Sequence, residues 1–233
     1  AQFIERSYEH MLDQVLDQLA YHYSQSHNTA KKREYLLRAG HRAQQVYANG
    51  TAINYFRLAL PLLTDIEKPT ILLDLGKVQE LVGHWQEAKT TFEQACALAK
   101  ASDDRRTQAW SEIAIGHLLR KQGLYADATA WLAKARMLFE QINDRSGVAQ
   151  ALHDQGIVAA HQGDIELAQR LFEDSLIMRK CLGDEAKIAN LYNDLGVVAK
   201  HRDDATTARS LYEDSLAIRQ KLADRWGITV SRI

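Results

Sequence analysis

Two stretches of the chain, 40 residues apart, decide the fold. Residues 153–180 read HDQGIVAAHQGDIELAQRLFEDSLIMRK, and residues 193–220 read NDLGVVAKHRDDATTARSLYEDSLAIRQ. They share 13 identities over 28 positions without a gap, far more than chance would give. The sequence therefore contains an internal repeat, and a period of this length is typical of helical repeat proteins.

The same period extends through most of the chain. Four series of residues keep the spacing: Gly76, Gly116, Gly156 and Gly196; Gly83, Gly123, Gly163 and then Asp203; Ala88, Ala128, Ala168 and Ala208; Phe92, Leu132, Phe172 and Tyr212. An acidic residue closes each unit, at Asp104, Asp144, Asp184 and Asp224. Gly40, Ala52 and Phe56 keep the same internal offsets, so we expect one further repeat upstream.

Each repeat is predicted to be a pair of helices. In the repeat quoted first, Ala168, Leu171, Phe172, Ser175 and Leu176 form an apolar stripe at helical spacing. The Gly163–Asp164 pair interrupts the pattern before them, and Asp164 is placed to cap the helix that follows. We predict helices over 5–25, 30–48, 51–64, 69–82, 85–101, 106–122, 125–141, 147–162, 165–181, 186–202 and 205–222.

A helix pair of this kind cannot bury its own stripe, so successive pairs must stack. Glycine and alanine on the paired helices allow close approach, and we expect the aromatic residue or leucine to fill the gap to the next unit. We predict one solenoid domain over 1–233, with an opening helix in 1–29 and the start of a further repeat in 225–233. The repeats are predicted over 30–66, 67–104, 105–144, 145–184 and 185–224.

Composition excludes several classes of protein. The chain has 233 residues, 46% of them hydrophobic and 25% charged, with a net charge of −1. Nucleic-acid and membrane-surface binders normally carry a basic excess, so neither partner is expected. Two cysteines, Cys96 and Cys181, cannot form a disulfide framework and indicate a reducing compartment. With 2 prolines and 12 glycines the chain has few turn residues, which favours an all-α fold.

The spacing resembles that of the tetratricopeptide repeat. The second unit carries it best, with Gly76, Gly83, Trp85, Ala88 and Phe92. The resemblance implies a right-handed superhelical solenoid of about 11 helices, whose first helices line a concave groove. The period of 40 residues is longer than usual and is similar to that of kinesin light chain-like arrays. The fourth and fifth units depart from the pattern at four positions: Ile165 and Ala205 replace the aromatic residue, and Ser175 and Ser215 replace the last small one.

Residues 19–63 are similar to the junction that follows the nucleotide-binding module in bacterial STAND-type ATPases, including regulators with an adenylate or guanylate cyclase module and activators of the maltose-regulator type. In such proteins the repeats form a C-terminal sensor arm, which implies a cytoplasmic signalling protein. The only Gly-Lys pair, Gly76–Lys77, lacks the other glycines of a phosphate-binding loop. Any ATPase activity would therefore lie outside this chain. Because 224–233 match the entry to another first helix, we expect a longer parent protein.

The resemblance also implies which side chains face the groove. We expect a partner-binding face that is polar, with cationic and histidine groups toward the end of each first helix. Its candidate residues are Asp74, Lys77, His117, Arg120, Lys121, His153, Asp154, His161, Asn190, Asn193, Asp194, Lys200 and His201. The same projection includes Leu73, Glu80, Trp110, Ile113 and Gln150. Such a face suits an extended peptide with acidic groups or a C-terminal carboxylate. A solvated groove without a binding role is the open alternative.

Catalysis and metal binding find no support in the spacing of reactive residues. His161 and His201 occupy equivalent positions in adjacent repeats, and His153 lies eight residues before His161, but neither an HExxH nor a CxxC pattern is present. The cysteines have no patterned partner for nucleophilic catalysis, and we expect Cys96 to act as a small buried apolar residue. We therefore expect no metal, no cofactor and no enzymatic activity.

Three functions remain open. The first is a protein-interaction scaffold that binds a partner segment or the parent protein's own nucleotide-binding module. The second is a sensor for a small polar metabolite, which would need a closed pocket. The third is a self-association module, in which an apolar patch at the C-terminal end mediates pairing. That patch would comprise Leu211, Tyr212, Leu216, Trp226, Ile228, Val230 and Ile233.

Overall fold

The computed structural model describes residues 5, 12 and 15–224, and the chain there is all-helical. Eleven α-helices follow one another in this part of the chain: α1 Leu16–Ser24, α2 Thr29–Gln45, α3 Asn49–Ala59, α4 Lys68–Leu81, α5 Trp85–Ala101, α6 Arg105–Lys121, α7 Tyr125–Gln141, α8 Arg145–His161, α9 Ile165–Leu182, α10 Glu185–His201 and α11 Ala205–Lys221. The even-numbered helices are the first helices of the repeats, and the odd-numbered helices from α3 onward are the second helices.

The predicted helix ends agree closely with the observed ones. From α4 onward each predicted end lies within two residues of the structure. The predicted opening helix is seen as α1 over its second half, and most of its first half lies outside the described residues. The prediction of one helix over 51–64 was wrong at its end. There α3 stops at Ala59 and a 3-10 turn, Leu60–Leu62, follows, because Pro61 has no N–H to continue the helix.

Acidic residues cap the helices of the later repeats as the sequence predicts. Oδ1 of Asp144 accepts a hydrogen bond from the Gly147 amide at 2.9 Å, and Oδ1 of Asp164 accepts one from the Leu167 amide at 3.0 Å. Asp104, Asp184 and Asp204 make the same contact at the starts of α6, α10 and α11. Each cap satisfies one of the free N–H groups of a helix start and so fixes where that helix begins.

The glycine series that opens each repeat allows a close contact within the helix pair. A Cβ atom on Gly156 would lie 2.5 Å from the ring of Phe172, and one on Gly196 would lie 2.5 Å from the ring of Tyr212. The second glycine series has a different role. Gly163 has φ of +83° in the turn between the two helices of a pair, and Asp203 adopts φ of +57° at the equivalent place.

The chain divides into two compact units, residues 1–114 and 115–233, and the boundary falls within α6. In the first unit, Phe56 is fully buried in a cluster with Ile71 and Val78. In the second unit, Phe172 lies in a cluster with Ile188 and Leu191. Because these partners belong to the next first helix along the chain, the aromatic residue joins one repeat to the next.

The apolar patch predicted for self-association is described only in part. Leu211, Tyr212 and Leu216 on α11 are half-buried. Trp226, Ile228, Val230 and Ile233, together with the further repeat predicted over 225–233, lie outside the described residues. No helix in the described part of the chain has both the length and the apolar character that crossing a membrane requires.

Candidate functional site

Histidine–aspartate pairs link successive first helices of the second unit. Nε2 of His117 on α6 lies 2.8 Å from Oδ2 of Asp154 on α8. Nε2 of His153 on α8 lies 2.6 Å from Oδ2 of Asp194 on α10. Four of the predicted binding residues therefore contact each other, and their first role is to connect neighbouring repeats.

Asp154 is the most buried member of these pairs, with 3% of its surface exposed. Its Oδ1 and Oδ2 also accept hydrogen bonds from Nε2 of Gln150, at 3.1 Å each. Burial by itself would raise the pKa of Asp154, but the charge and hydrogen bond of His117 and the charge of His153 outweigh it. The pKa therefore lies below its usual value. The carboxylate is ionised and buried, and both of its oxygens contact neighbouring side chains.

A pair of the same kind lies in the first unit. His41 on α2 lies with Nε2 3.3 Å from Oδ2 of Asp74 on α4. Lys77, one turn further along α4, donates to Oδ1 of Asp74 at 3.2 Å. Burial would raise the pKa of Asp74, but His41 and Lys77 lower it. Asp74 and Lys77 thus pair within their own unit, and the other eleven predicted residues lie in the second unit.

Sequence reasoning missed two arginines of the second helices. Arg179 on α9 is 3% exposed and donates from Nη2 to Oε1 of Gln150 at 3.2 Å. One repeat later, Arg219 on α11 donates to Oδ1 of Asn190 at 2.9 Å. The side chain of the predicted site residue Asn190 is therefore bonded to the second helix of its own repeat. Arg179 and Arg219 are one of the 13 identities between the two repeats, and that identity was the signal that could have found them.

Exposed basic side chains lie at the ends of the first helices. Lys121 ends α6, His161 ends α8, and Lys200 and His201 end α10, all four exposed. Arg120 is half-buried, and its buried Nε has no hydrogen-bond partner among the described residues. The positive charges of Lys121 and Lys200 also suit the negative end of a helix dipole. Asn193 is half-buried in the middle of α10.

The residue that follows each repeat glycine is basic in the first three repeats and aliphatic in the last two. It is His41, Lys77 and His117 in the first three repeats, and Ile157 and Val197 in the last two. Val197 is 40% exposed. Both side chains line an open cavity of about 240 Å³ between α8, α9 and α10. The polar face is therefore interrupted by an apolar hollow in the last two repeats.

Polar groups surround this hollow. His161, His201 and Asp194 line it together with Ile165 and Phe172. The ring of His161 already stacks on Tyr125, with centroids 5.6 Å apart and 7° between the planes. Small-molecule sites usually have volumes of about 300–1,000 Å³ and enclose most of the ligand. The hollow is smaller and open, which suits one side chain of a partner better than a whole metabolite.

A larger cavity, of about 520 Å³, lies between α9, α10 and α11. Its polar lining includes Glu173 and Asp204 together with Arg202, and Arg202 donates to Oε1 of Gln169 within it. The mixed charges give this cavity no clear preference for an anion or a cation. No cluster of three or more histidine, cysteine or acidic side chains that could hold a metal ion occurs among the residues described.

The sequence matches two models of the tetratricopeptide repeat, one over residues 107–180 and the other over residues 188–225. These two stretches are tetratricopeptide repeats. Both contain residues of the face described above, because His117, His153 and His161 fall in the first match and Asp194, Lys200 and His201 in the second. No curated protein matches the sequence.

Solved structures share the fold of these tetratricopeptide repeats. BtubC (BKLC) from P. vanneervenii aligns with a TM-score of 0.70 at 18% identity, over 94% of this chain and 90% of that one. A Rap protein complexed with competence and sporulation factor aligns with a TM-score of 0.80 at 15% identity, over 94% of this chain and 62% of that one. At such identities the likeness is one of fold alone.

A third structure is the Rap conjugation gene regulator of the plasmid pLS20 in complex with the Phr* peptide. It aligns with a TM-score of 0.77 at 17% identity, over 88% of this chain and 58% of that one. The present chain thus spans about three fifths of each of these two Rap chains.

Proposed function

We propose that the tetratricopeptide repeats of the second unit form a protein-interaction module that binds an extended, acidic peptide segment of a partner. The segment lies along the face of α8 and α10. It is held by charge-assisted hydrogen bonds from the basic side chains at the ends of the first helices. The module itself performs no chemistry.

One observation carries this proposal: two carboxylates of the face are paired with histidines, whereas Lys200 at the end of α10 is not paired within the part of the chain that the structure describes. Asp154 and Asp194 are paired with His117 and His153. Lys200 is exposed and has no hydrogen bond or ion pair with any residue the structure describes. The accessible charge of α10 is therefore positive, and an acidic segment complements it.

The choice of a peptide is supported by one of the similar structures. The Rap conjugation gene regulator was solved in complex with the Phr* peptide, and the other Rap protein was solved with competence and sporulation factor. Their likeness to this chain is one of fold, so it supports the kind of occupant and says nothing of its sequence. The occupant's chemistry follows from the basic side chains and from the hollow beside Val197.

We further propose that the chain serves as the sensor arm of a larger bacterial signalling protein. This rests on the resemblance of residues 19–63 to the junction in STAND-type ATPases. The partner segment would then come from another protein or from the parent's own nucleotide-binding module. A cytoplasmic location is consistent with the state of Cys96 and Cys181, neither of which forms a disulfide among the described residues.

The test uses a fluorescein-labelled ten-residue peptide of alternating glutamate and alanine, followed by fluorescence anisotropy. We expect Lys200→Glu to weaken binding about fivefold, since a partly exposed charge pair contributes about 1 kcal/mol. Raising the salt concentration from 0.05 to 0.5 M should weaken binding further.

The control is Arg170→Glu, which makes the same charge change at an exposed residue of the second helix α9. We expect it to leave the affinity unchanged within about twofold. Equal losses in Lys200→Glu and Arg170→Glu would show a general charge effect and would remove the first-helix face from the function. So would the absence of any peptide binding.

A further inference from the structure

A side-chain contact in the preceding repeat indicates what the hollow beside His201 could receive. Each second helix begins at the position that is aromatic in the tetratricopeptide pattern. α7 begins with Tyr125, whose ring stacks on His161 at the end of α8. These two residues are 36 positions apart. An aromatic ring at the start of one second helix thus covers the histidine at the end of the next first helix.

One repeat later the histidine is kept and the ring is missing. α9 begins with Ile165, and α10 ends with His201, again 36 positions apart. Both line the hollow of about 240 Å³, and His201 is exposed. The hollow therefore lies where an aromatic ring would lie if the contact between Tyr125 and His161 were repeated.

We propose that this hollow is the specificity pocket of the peptide-binding face and receives an aromatic side chain of the bound segment. The guest ring stacks on His201 as Tyr125 stacks on His161, above the apolar floor of Ile157 and Val197. This inference rests on the proposed function, because it assigns one side chain of the peptide to one place on the same face.

Tyrosine fits the lining of the pocket better than phenylalanine. Asp194 lines the pocket, and its Oδ2 is paired with His153. A carboxylate has four lone-pair sites, so it can accept a further hydrogen bond from a phenol. A buried tyrosine normally requires such a partner for its hydroxyl group. The preferred segment is therefore acidic with a tyrosine among its acidic residues.

The test compares three fluorescein-labelled peptides that differ only at a central residue between glutamate and alanine. The central residue is tyrosine, phenylalanine or alanine. We expect the tyrosine peptide to bind about tenfold more tightly than the alanine peptide, with the phenylalanine peptide between them. Equal affinities for the tyrosine and alanine peptides would overturn the assignment of the pocket. They would leave the binding of acidic peptides, and hence the proposed function, intact.

The decisive variant is Ile165→Tyr, which supplies the missing ring from the chain itself. We expect it to raise the melting temperature by about 2–4 °C by filling the hollow. It should also reduce the affinity for the tyrosine peptide to that for the alanine peptide. Ile177→Tyr is the control, because Ile177 is 62% exposed on the same helix. It should change neither quantity.

Other results would overturn the inference. A fall in the melting temperature of Ile165→Tyr would show that no aromatic ring fits against His201. Free N-acetyltyrosine amide that binds as tightly as the peptide would identify a small-molecule site instead. A dimer that forms without peptide and is abolished by Ile165→Tyr would mean that a second copy of the chain occupies the pocket. If Lys200→Glu leaves the binding of all peptides unchanged but Ile165→Tyr abolishes tyrosine selectivity, the pocket stands and the charge-based function fails.

Discussion

At the scale of single residues, the repeat glycines matter because they have no side chain. Phe172 is 2% exposed, and its ring lies where a side chain on Gly156 would have to be. The ring is enclosed by Ile188 and Leu191 of the next repeat, so it cannot move aside without disturbing a second contact. The spacing in the sequence shows that the glycine recurs. Only the structure shows that the ring of the same repeat leaves no room for a side chain there.

We expect Gly156→Ala to lower the free energy of unfolding by about 1–3 kcal/mol, since a well-packed core tolerates an added methyl group poorly. Chemical denaturation followed by circular dichroism would measure it. Gly50→Ala is the matched control, because Gly50 is helical and has nothing within 4 Å of an added Cβ atom. That variant should be neutral or more stable by up to about 1 kcal/mol. Equal effects of the two substitutions would contradict the role of the ring.

A second prediction concerns Glu5. Its carboxylate accepts hydrogen bonds from Nζ of Lys31 at 2.6 Å, from the hydroxyl of Tyr23 at 2.6 Å and from that of Tyr35 at 2.7 Å. These bonds, Lys31 first, lower the pKa of Glu5 from 4.5 to about 2. Because the folded-state pKa is depressed, the stabilisation is complete above the unfolded pKa and is lost as the pH falls toward about 2.

We therefore expect Glu5→Gln to be less stable than the native protein by about 1–3 kcal/mol at pH 7. The difference should shrink steadily as the pH is lowered through the interval between the two pKa values. Urea denaturation of both proteins at matched pH measures the difference between their free energies of unfolding. Because the other titratable groups contribute equally to both proteins, their titration cancels in this difference. A difference that stays constant down to pH 2 would mean that the charge of Glu5 has no part in the contact.

At the scale of helices, the sequence predicts elements better than it predicts which side chains meet. Helix ends follow from local signals, namely glycine breaks and aspartate caps, and these are visible along the chain. The pairing of His117 with Asp154 joins helices that are two elements apart. The histidine follows one repeat glycine and the aspartate lies two positions before the next repeat glycine. This relation is visible only once the helices are placed.

The buried arginines illustrate the same limit. Arg179 lies on a second helix, in a segment with many exposed charges, and its composition gives no sign of burial. Yet its Nη1 donates to Oγ of Ser146 and to Oδ2 of Asp184, at 3.0 Å each, besides the bond to Gln150. A charge can be buried in this way only when its donors are satisfied, and the sequence alone does not show which partners are within reach.

This arrangement predicts that Arg179→Met lowers the free energy of unfolding by about 2–4 kcal/mol, because it removes the donor to Oδ2 of Asp184 and to Oε1 of Gln150. Arg170→Met on the same helix is exposed and should stay within about 0.5 kcal/mol of the native protein. Guanidinium denaturation of both variants would measure the two values. Similar stabilities for the two variants would show that the buried network contributes little to the fold.

At the scale of the whole molecule, the stability of repeat proteins is close to a sum of contributions from each repeat and from each neighbouring interface. The chain also divides into two compact units, 1–114 and 115–233. Gly40 and Gly196 occupy equivalent positions in different units, and each lies against one ring, Phe56 or Tyr212. Substitution of either glycine should therefore destabilise one part of the chain and leave the other part unaffected.

We expect Gly40→Ala to increase hydrogen exchange of backbone amides in α2, α3 and α4 while leaving α10 and α11 protected as in the native protein. Gly196→Ala should do the reverse, because local opening follows the local free energy when units are not strongly coupled. Hydrogen exchange followed by mass spectrometry, at native pH and without denaturant, resolves the two patterns. A uniform loss of protection across all of these helices in either variant would show that the chain opens as one cooperative unit and that the repeat energies are not separable.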